Sequence, residues 1–314
     1  MTEYRTLIYT AKKSDAGLMA RDVIHREFHL VAHDIASAKY EIEDGITIDG
    51  ESVMINHTLK EGNVLAVKLM DRPSGKTVPA PGSLTIVFEN EDLVVIDKPA
   101  GVVVHPSHGH FADSIGNFLA WHYQEEGEIH EVRTMGRLDK DTSGLILFGK
   151  SRTVCAHMLK QAEEGLRTKE YLALASGTFE SVNGDVDAPI SREYEEKMKR
   201  VVREDGDRAL THYRVLRQYD GYALLSVTIE TGRTHQIRVH MAHIGHPLLG
   251  DPIYGTCVSE DQDPEGPKRA LLHAYKVSFL LPFKGDRVTF VSPLPEDMRR
   301  LCPGFEYSEG DVET

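Results

Sequence analysis

The chain has 314 residues, 40% of them hydrophobic and 27% charged, with 36 Lys+Arg against 49 Asp+Glu and a formal net charge of −13. That length accommodates one large domain plus a small one. No run approaches the ~20 apolar residues of a membrane span, and MTEYRTLIYTAKKSD lacks the layout of a signal peptide. The acidic balance argues against a general nucleic-acid binder, whose affinity rests on phosphate neutralisation. Part of the excess is peripheral, because Glu306, Glu309, Asp311 and Glu313 crowd the tail. Bases gather locally in EKMKRVVRE, with Lys197, Lys199, Arg200 and Arg203. Cys155, Cys257 and Cys302 form neither a disulfide framework nor a CxxC pair, which fits a reducing, cytoplasmic setting.

Residues 1–70 read as a small unit. Ala16–Phe28 has helical spacing and Asp34–Glu41 suits a second short helix. Strand-like segments then alternate with the turns Asp49-Gly50 and Glu61-Gly62. Residues 71–83, rich in Pro, Gly and Ser, read as a linker. The second unit, 84–303, opens with the strands LTIVFEN and LVVIDKP, then a helix through SIGNFLAWHYQ capped by Asp113 or Ser114. Ser151 caps a helix through VCAHMLKQAEE. Strands follow in KEYLALASG, ALTHYRVLRQY and YALLSVTIET, a helix in THQIRVHMAHIG, strands in LLHAYKVSFLL and RVTFVS, and a final helix from Pro295. Residues 304–314 form an acidic tail, and Ser259–Pro267 a surface loop. Strands dominate, often as neighbours joined by short turns, so the expected class is α+β with a largely antiparallel sheet.

The chemistry concentrates in segments too polar for core elements: IDKPAGVVVHPSHGH, MGRLDKDTSG, TKEYLA and ETGRTHQIRVHMAHIGHPLLGDPIYG. Their histidines do not follow the HExxH pattern of zinc hydrolases, so they read as caps and surface groups, and no metal is expected. With GxGxxG, GxxxxGK[ST] and GxSxG also missing, no cofactor is expected. What remains is a carboxylate and arginines. Arg233 and Arg238 are five apart, so on a helix one points inward and the other reaches solvent or phosphate. A buried arginine must be paired. Asp139, anchored between Leu138 and Leu145, is a candidate partner and would stay ionised beside it, available as a nucleophile or base. Spacing leaves the plainer readings open: a turn cap for Asp139 and a surface ion pair for Arg238.

The ordered motifs LVVIDKPAGVVVHPS, GRLDKDTSGLILFGKS, KEYLALASG, ETGRTHQIRVHMAHIGHPLLGDPIYG and LLHAYKVSF span about residues 84–292. Together they resemble the RluA family of RNA pseudouridine synthases, which isomerise uridines within RNA to the C-glycoside. The resemblance implies that Asp139 is the catalytic nucleophile, Arg238 its ion-pair partner and Tyr171 the aromatic packed on the target base. It implies further that Arg137 fills the RNA stack the base leaves, that Leu272 and His273 touch substrate, and that Lys199 and Arg200 lie on a basic hairpin closing on RNA. Without the resemblance, that hairpin reads equally as a solvated charged turn. The expected partner is therefore ribosomal or transfer RNA, bound by a monomer. One departure is plain: the RluA pattern usually has His before RLD, where this chain has Gly136. The first 70 residues resemble an S4 domain, but residues 1–75 carry nine Lys+Arg against twelve Asp+Glu, unlike the basic helices with which such domains grip RNA. The rival readings are a non-catalytic RNA-binding relative and a metal-dependent hydrolase.

Overall fold

The structure, a computed structural model, describes residues 4–30, 32–70, 77–128, 130–194, 199–255 and 266–305. In the N-terminal part, β1 (Arg5–Thr10) precedes α1 (Ala20–Phe28) and α2 (Ala32–Tyr40). β2 (Ile46–Ile48), β3 (Glu51–Ser52) and β4 (Val64–Leu69) follow. They form an antiparallel sheet in the order β1-β4-β2-β3. Only Leu7 of β1 is buried, so local pattern left that strand unread and pairing with β4 makes it. Leu7, Val23, Ile24, Phe28, Ile48, Leu65 and Val67 belong to a core of their own.

The larger part runs β5 (Thr85–Glu89), β6 (Leu93–Lys98), α3 (Ile115–Glu125), β7 (Arg133–Thr134), β8 (Ser143–Gly149) and α4 (Arg152–Glu163). Next come β9 (Thr168–Ser176), β10 (Asn183–Asp187), β11 (Ile190–Arg192), β12 (Arg200–Val202), β13 (Leu210–Gln218) and β14 (Tyr222–Ile229). It ends with α5 (Gln236–His243), β15 (Leu272–Leu280), β16 (Arg287–Val291) and α6 (Glu296–Arg300). The ten-stranded sheet has the order β10-β13-β14-β9-β15-β8-β6-β5, with β16 beside β15 and β7 beside β8. Every pair is antiparallel except β15 with β8. The mixed, largely antiparallel α+β architecture is the expected one. Strands β11 and β12 pair separately as a hairpin.

Helices cover both faces, which is why the central strands are continuous apolar runs. Val94 and Ile96 of β6 and Ile146 and Phe148 of β8 face the core that holds Ile115 and Leu119 of α3 and Ile237 and Met241 of α5. Their alternates Leu93, Val95, Leu145 and Leu147 face Val154 and Met158 of α4. Ser151 caps α4, its Oγ accepting from Val154 N–H at 3.2 Å, and Ser114 caps α3 in the same way. The two parts touch through Arg5–Asp92 at 2.6 Å and the Thr153 hydroxyl donating to Asp34 at 2.8 Å.

Period-two alternation aims Tyr171, Ala173 and Ala175 of β9 toward α3 and α5, while Leu172 and Leu174 point to the face that holds Met298 of α6. A polar residue at position 171 therefore emerges on the α5 side, at one end of the sheet. That placement begins the site.

Candidate active site

Asp139 sits in the loop between β7 and β8, at the mouth of the core strand β8. Leu138, 7% exposed, anchors one side of it. Behind it, Lys98 is wholly buried, and its ammonium donates to the carbonyls of Pro99, Val102 and Lys140 at 2.8, 2.8 and 2.9 Å. Gly101 N–H donates to the same Lys140 carbonyl at 2.9 Å. One buried cation thus ties the IDKPAG loop to the RLDK loop, and burial draws its pKa down to about 8. Gly144 is required next to it: φ is +104°, and a Cβ there would lie 2.3 Å from the Ala274 carbonyl oxygen. That contact is the close parallel approach of β8 to β15.

Asp139 lines an open cleft of about 1040 Å³ together with Arg137, Tyr171, His105, Lys169, Thr234, His235 and Arg238. Arg238 lies on α5 with 3% exposure and makes a two-pronged pair with Asp251. Nε and Nη2 donate to the two carboxylate oxygens at 2.7 Å each. The remaining Nη1 faces Asp139 Oδ2 at 3.6 Å, and His235 Nε2 faces the same oxygen at 3.9 Å. Arg238 is thus held by a second carboxylate and lends its spare nitrogen to the first. Asp251 also accepts from the backbone N–H groups of Ile253 and Tyr254. Burial opposes its ionisation, but Arg238 and these donors outweigh burial and hold its carboxyl below the usual range. The Arg238 guanidinium stacks over the Tyr254 ring at 5.3 Å.

Tyr171 is 5% exposed, and burial followed by the charge of Asp139 raises its hydroxyl to about 12, so it meets the cleft as a neutral ring. Arg137 is exposed at the rim, donating from Nη1 to the Thr234 hydroxyl at 3.2 Å. Gly136 has φ +129°, and a Cβ on it would stand 3.2 Å from Lys169 Nζ. Burial, aided by Arg167, draws Lys169 down to about 8.

The structure therefore brings Asp139, Tyr171, Arg238 and Arg137 into one cleft. Arg200 lies at its edge on β12, its guanidinium among those of Arg192 and Arg137 and within the field of Asp139. Its Nη1 is buried without a hydrogen-bond partner among the described residues. Lys199 is half-exposed and paired to Glu193 at 3.2 Å, and Lys197 lies outside the described residues. Leu272 and His273, expected to touch substrate, are not among the residues that line this cleft. Both are in β15 at 4% and 1% exposure, and the His273 ring is engaged with the Ser143 hydroxyl at 3.0 Å and the Ser292 carbonyl at 3.3 Å. Leu272 belongs to the core that holds Tyr171 and Ile237, and these two hydrogen-bond partners hold the His273 ring. Arg233 is the outward arginine, donating to the Arg208 carbonyl at 3.0 Å.

Sequence reasoning missed Asp251, His235, Tyr254 and Lys98 as site residues. Asp251 left a signal, since an acid inside the apolar LLGDPIYG requires a buried cation. For Lys98 the signal was a lysine closing the strand LVVID. Among the described residues no cluster of three or more His, Cys, Asp or Glu could hold a metal ion, and no helix is long and apolar enough to cross a membrane. His240 is buried between the Thr211 hydroxyl and the Ala188 carbonyl.

The sequence profile of the RNA pseudouridylate synthase family matches residues 92–243. An uncharacterized RNA pseudouridine synthase, YhcT of Bacillus subtilis (strain 168), is 36% identical over 82% of this chain and 84% of its own length. Ribosomal large subunit pseudouridine synthase D of Pseudomonas aeruginosa is 37% identical over 82% of each chain. Among solved structures, human RNA pseudouridylate synthase domain containing 1 superposes with a TM-score of 0.54 at 26% identity, covering 68% of this chain and 85% of that one. With this extent of identity along its length, the chain belongs to the RluA family of RNA pseudouridine synthases.

Proposed function

We propose that this chain isomerises specific uridines of large-subunit ribosomal RNA, with Asp139 as nucleophile and the target base flipped out of its stack. Transfer RNA is the second substrate class of this reading. The observation that carries it is Asp139 at the wall of an open cleft, faced at 3.6 Å by an arginine that Asp251 already holds. At 3.6 Å the carboxylate is not locked into a short ion pair and can turn to a substrate. The reaction is internally balanced. The C1′–N1 bond breaks and C1′–C5 forms; C5 loses a proton and N1 gains one, so it consumes no external reductant or oxidant.

A uridine in structured RNA must leave its stack first, at a cost of a few kcal/mol. Tyr171 supplies a neutral aromatic face for the flipped base, and Arg137 at the rim is placed to enter the gap it leaves. The cations Arg137, Arg200 and Lys169 give an acidic protein a local field for phosphates at this one place. The N-terminal part, read as an S4-like domain, adds little electrostatic grip of its own. The enzyme reading assigns it to the cytoplasm as a monomer.

The test is pseudouridine mapping of total RNA from cells carrying either the wild-type gene or Asp139→Asn. Discrete uridines are expected to lose their label in the mutant, which names the substrate and the role of Asp139 together. Identical maps, with no tritium release from uridine-labelled RNA in vitro, would leave a non-catalytic RNA-binding relative as the better reading.

A further inference from the structure

His235 and Tyr254 have no part in the assignments above, yet they stand between the basic hairpin and Asp139. Arg200 opens β12, and its backbone N–H donates to the Tyr254 hydroxyl at 2.8 Å. The Tyr254 hydroxyl lies 2.9 Å from His235 Nδ1, with the two rings edge to face at 5.7 Å. His235 Nε2 then faces Asp139 Oδ2 at 3.9 Å. The histidine is 8% exposed and has φ +57°, a left-handed conformation that non-glycine residues keep only where the surroundings impose it.

Counting hydrogens favours one direction for this chain. The Tyr254 oxygen already accepts from Arg200, so its single hydrogen is free to go to His235 Nδ1. An imidazole accepting at Nδ1 carries its proton on Nε2, which points at Asp139. The reverse arrangement, with Nδ1–H donating to Tyr254, would leave the phenolic hydrogen no protein acceptor in this chain of contacts.

We infer that Tyr254 and His235 are positioning residues for Asp139, forming a relay in which the backbone of the basic hairpin sets the tautomer of the imidazole facing the nucleophile. The inference rests on the reading of Asp139 as the reacting carboxylate and goes beyond it. It makes seating of the β11–β12 hairpin, which carries Arg192, Lys199 and Arg200, a condition for the ordering of the catalytic loop. The groups facing His235 from every side are Asp139 of the β7–β8 loop, Arg238 of its own helix, Asp251 and Tyr254 of the DPIY turn, and Arg200 of the hairpin. Burial keeps the imidazole below its ordinary pKa, Asp139 pulling the other way. The Tyr254 hydroxyl adds a donor that only the neutral ring can accept. Removing that donor therefore favours protonation, and an imidazolium would draw the Asp139 carboxylate into a tight ion pair and away from substrate.

The experiment uses the full chain labelled with 15N-histidine. Long-range 1H–15N correlation spectra report the ring tautomer, and the His235 signal is assigned by its loss in His235→Asn. The wild type is expected to show the Nε2–H form. Tyr254→Phe keeps the ring under Arg238 and is expected to mix the tautomers. Its single-turnover rate on a large-subunit ribosomal RNA transcript should fall about tenfold from pH 8 to pH 6 beyond any fall in wild type, as a histidine titrates. An active wild type with His235 in the Nδ1–H form overturns the relay alone, as does a Tyr254→Phe chain with wild-type ring signals and pH profile. A wild type that converts no uridine in any RNA overturns the functional reading, and with it any role for the relay.

Discussion

Replacing Asp251 by alanine tests the arrangement on which the site depends. Asp251 and Arg238 are 2% and 3% exposed and share two hydrogen bonds of 2.7 Å. Removing one member of such a pair strands the other as an unpaired buried charge, which costs about 3–5 kcal/mol. The backbone N–H groups of Ile253 and Tyr254 also lose their acceptor, adding about 1 kcal/mol each. Against this, Asp139 is only 3.6 Å from Arg238 Nη1, and a released guanidinium can close on it. That recovery places the net loss near the lower end, about 3 kcal/mol, or more than a hundredfold in the folding equilibrium. Trp121, the single tryptophan, lies in α3 against the large sheet, so urea unfolding followed by its fluorescence reports the catalytic part. The capture of Arg238 by Asp139 should also lower the single-turnover rate in the fraction that remains folded. Asp251→Asn, which retains a side-chain acceptor for the two N–H groups, should lose less stability. An Asp251→Ala chain within about 0.5 kcal/mol of wild type would refute the reasoning, because a surface substitution does no more than that.

His157 stacks between His29 at 4.7 Å and Phe283 at 5.4 Å, where the two parts of the chain meet, and burial lowers its pKa to about 4. Between pH 6.5 and 4 the unfolded chain binds a proton there that the folded chain refuses, so stability falls with pH across that window. The loss approaches about 3 kcal/mol at its acid end. His157→Leu should flatten this part of a melting-temperature against pH profile, and an unchanged slope would remove His157 from the account. Gly136→His, which restores the usual RluA residue, forces a side chain into φ +129° and against Lys169 Nζ. It should cost about 1–3 kcal/mol, read as a lower Tm, and an unchanged Tm would count against that strain. Lys169→Met should retain the wild-type Tm, while the slope of log affinity for RNA against log salt shrinks by about 0.7–0.9, the share of one phosphate contact. An unchanged slope would exclude that contact.

Much of the architecture was legible in residue pattern. Alternation and continuous apolar runs located the central strands, because burial on one face or two leaves a period that needs no knowledge of partners. Ser114 and Ser151 marked helix starts because a cap is a local hydrogen bond. Strand β1 escaped, since pairing with β4 sixty residues away, and not its own burial, makes it a strand.

Asp139, Tyr171 and Arg238 could be nominated because a carboxylate, an aromatic and an arginine at the ends of core elements need an explanation, and the ordered motifs supplied one. Their chemistry was contained in the chain. The pairing was not: Asp251 holds Arg238 because the DPIY turn folds back under α5. Leu272 and His273 do not line the cleft because Leu272 packs into the core with Ile237 of α5 and the His273 ring is taken by Ser143 and Ser292. The link from Arg200 through Tyr254 and His235 to Asp139 joins four segments distant in sequence. Sequence by itself determined which residues have a period, a cap or a charge to satisfy. Only the tertiary structure decided which charge satisfies which, because Coulomb energy and hydrogen bonding depend on distances through space that the fold alone sets.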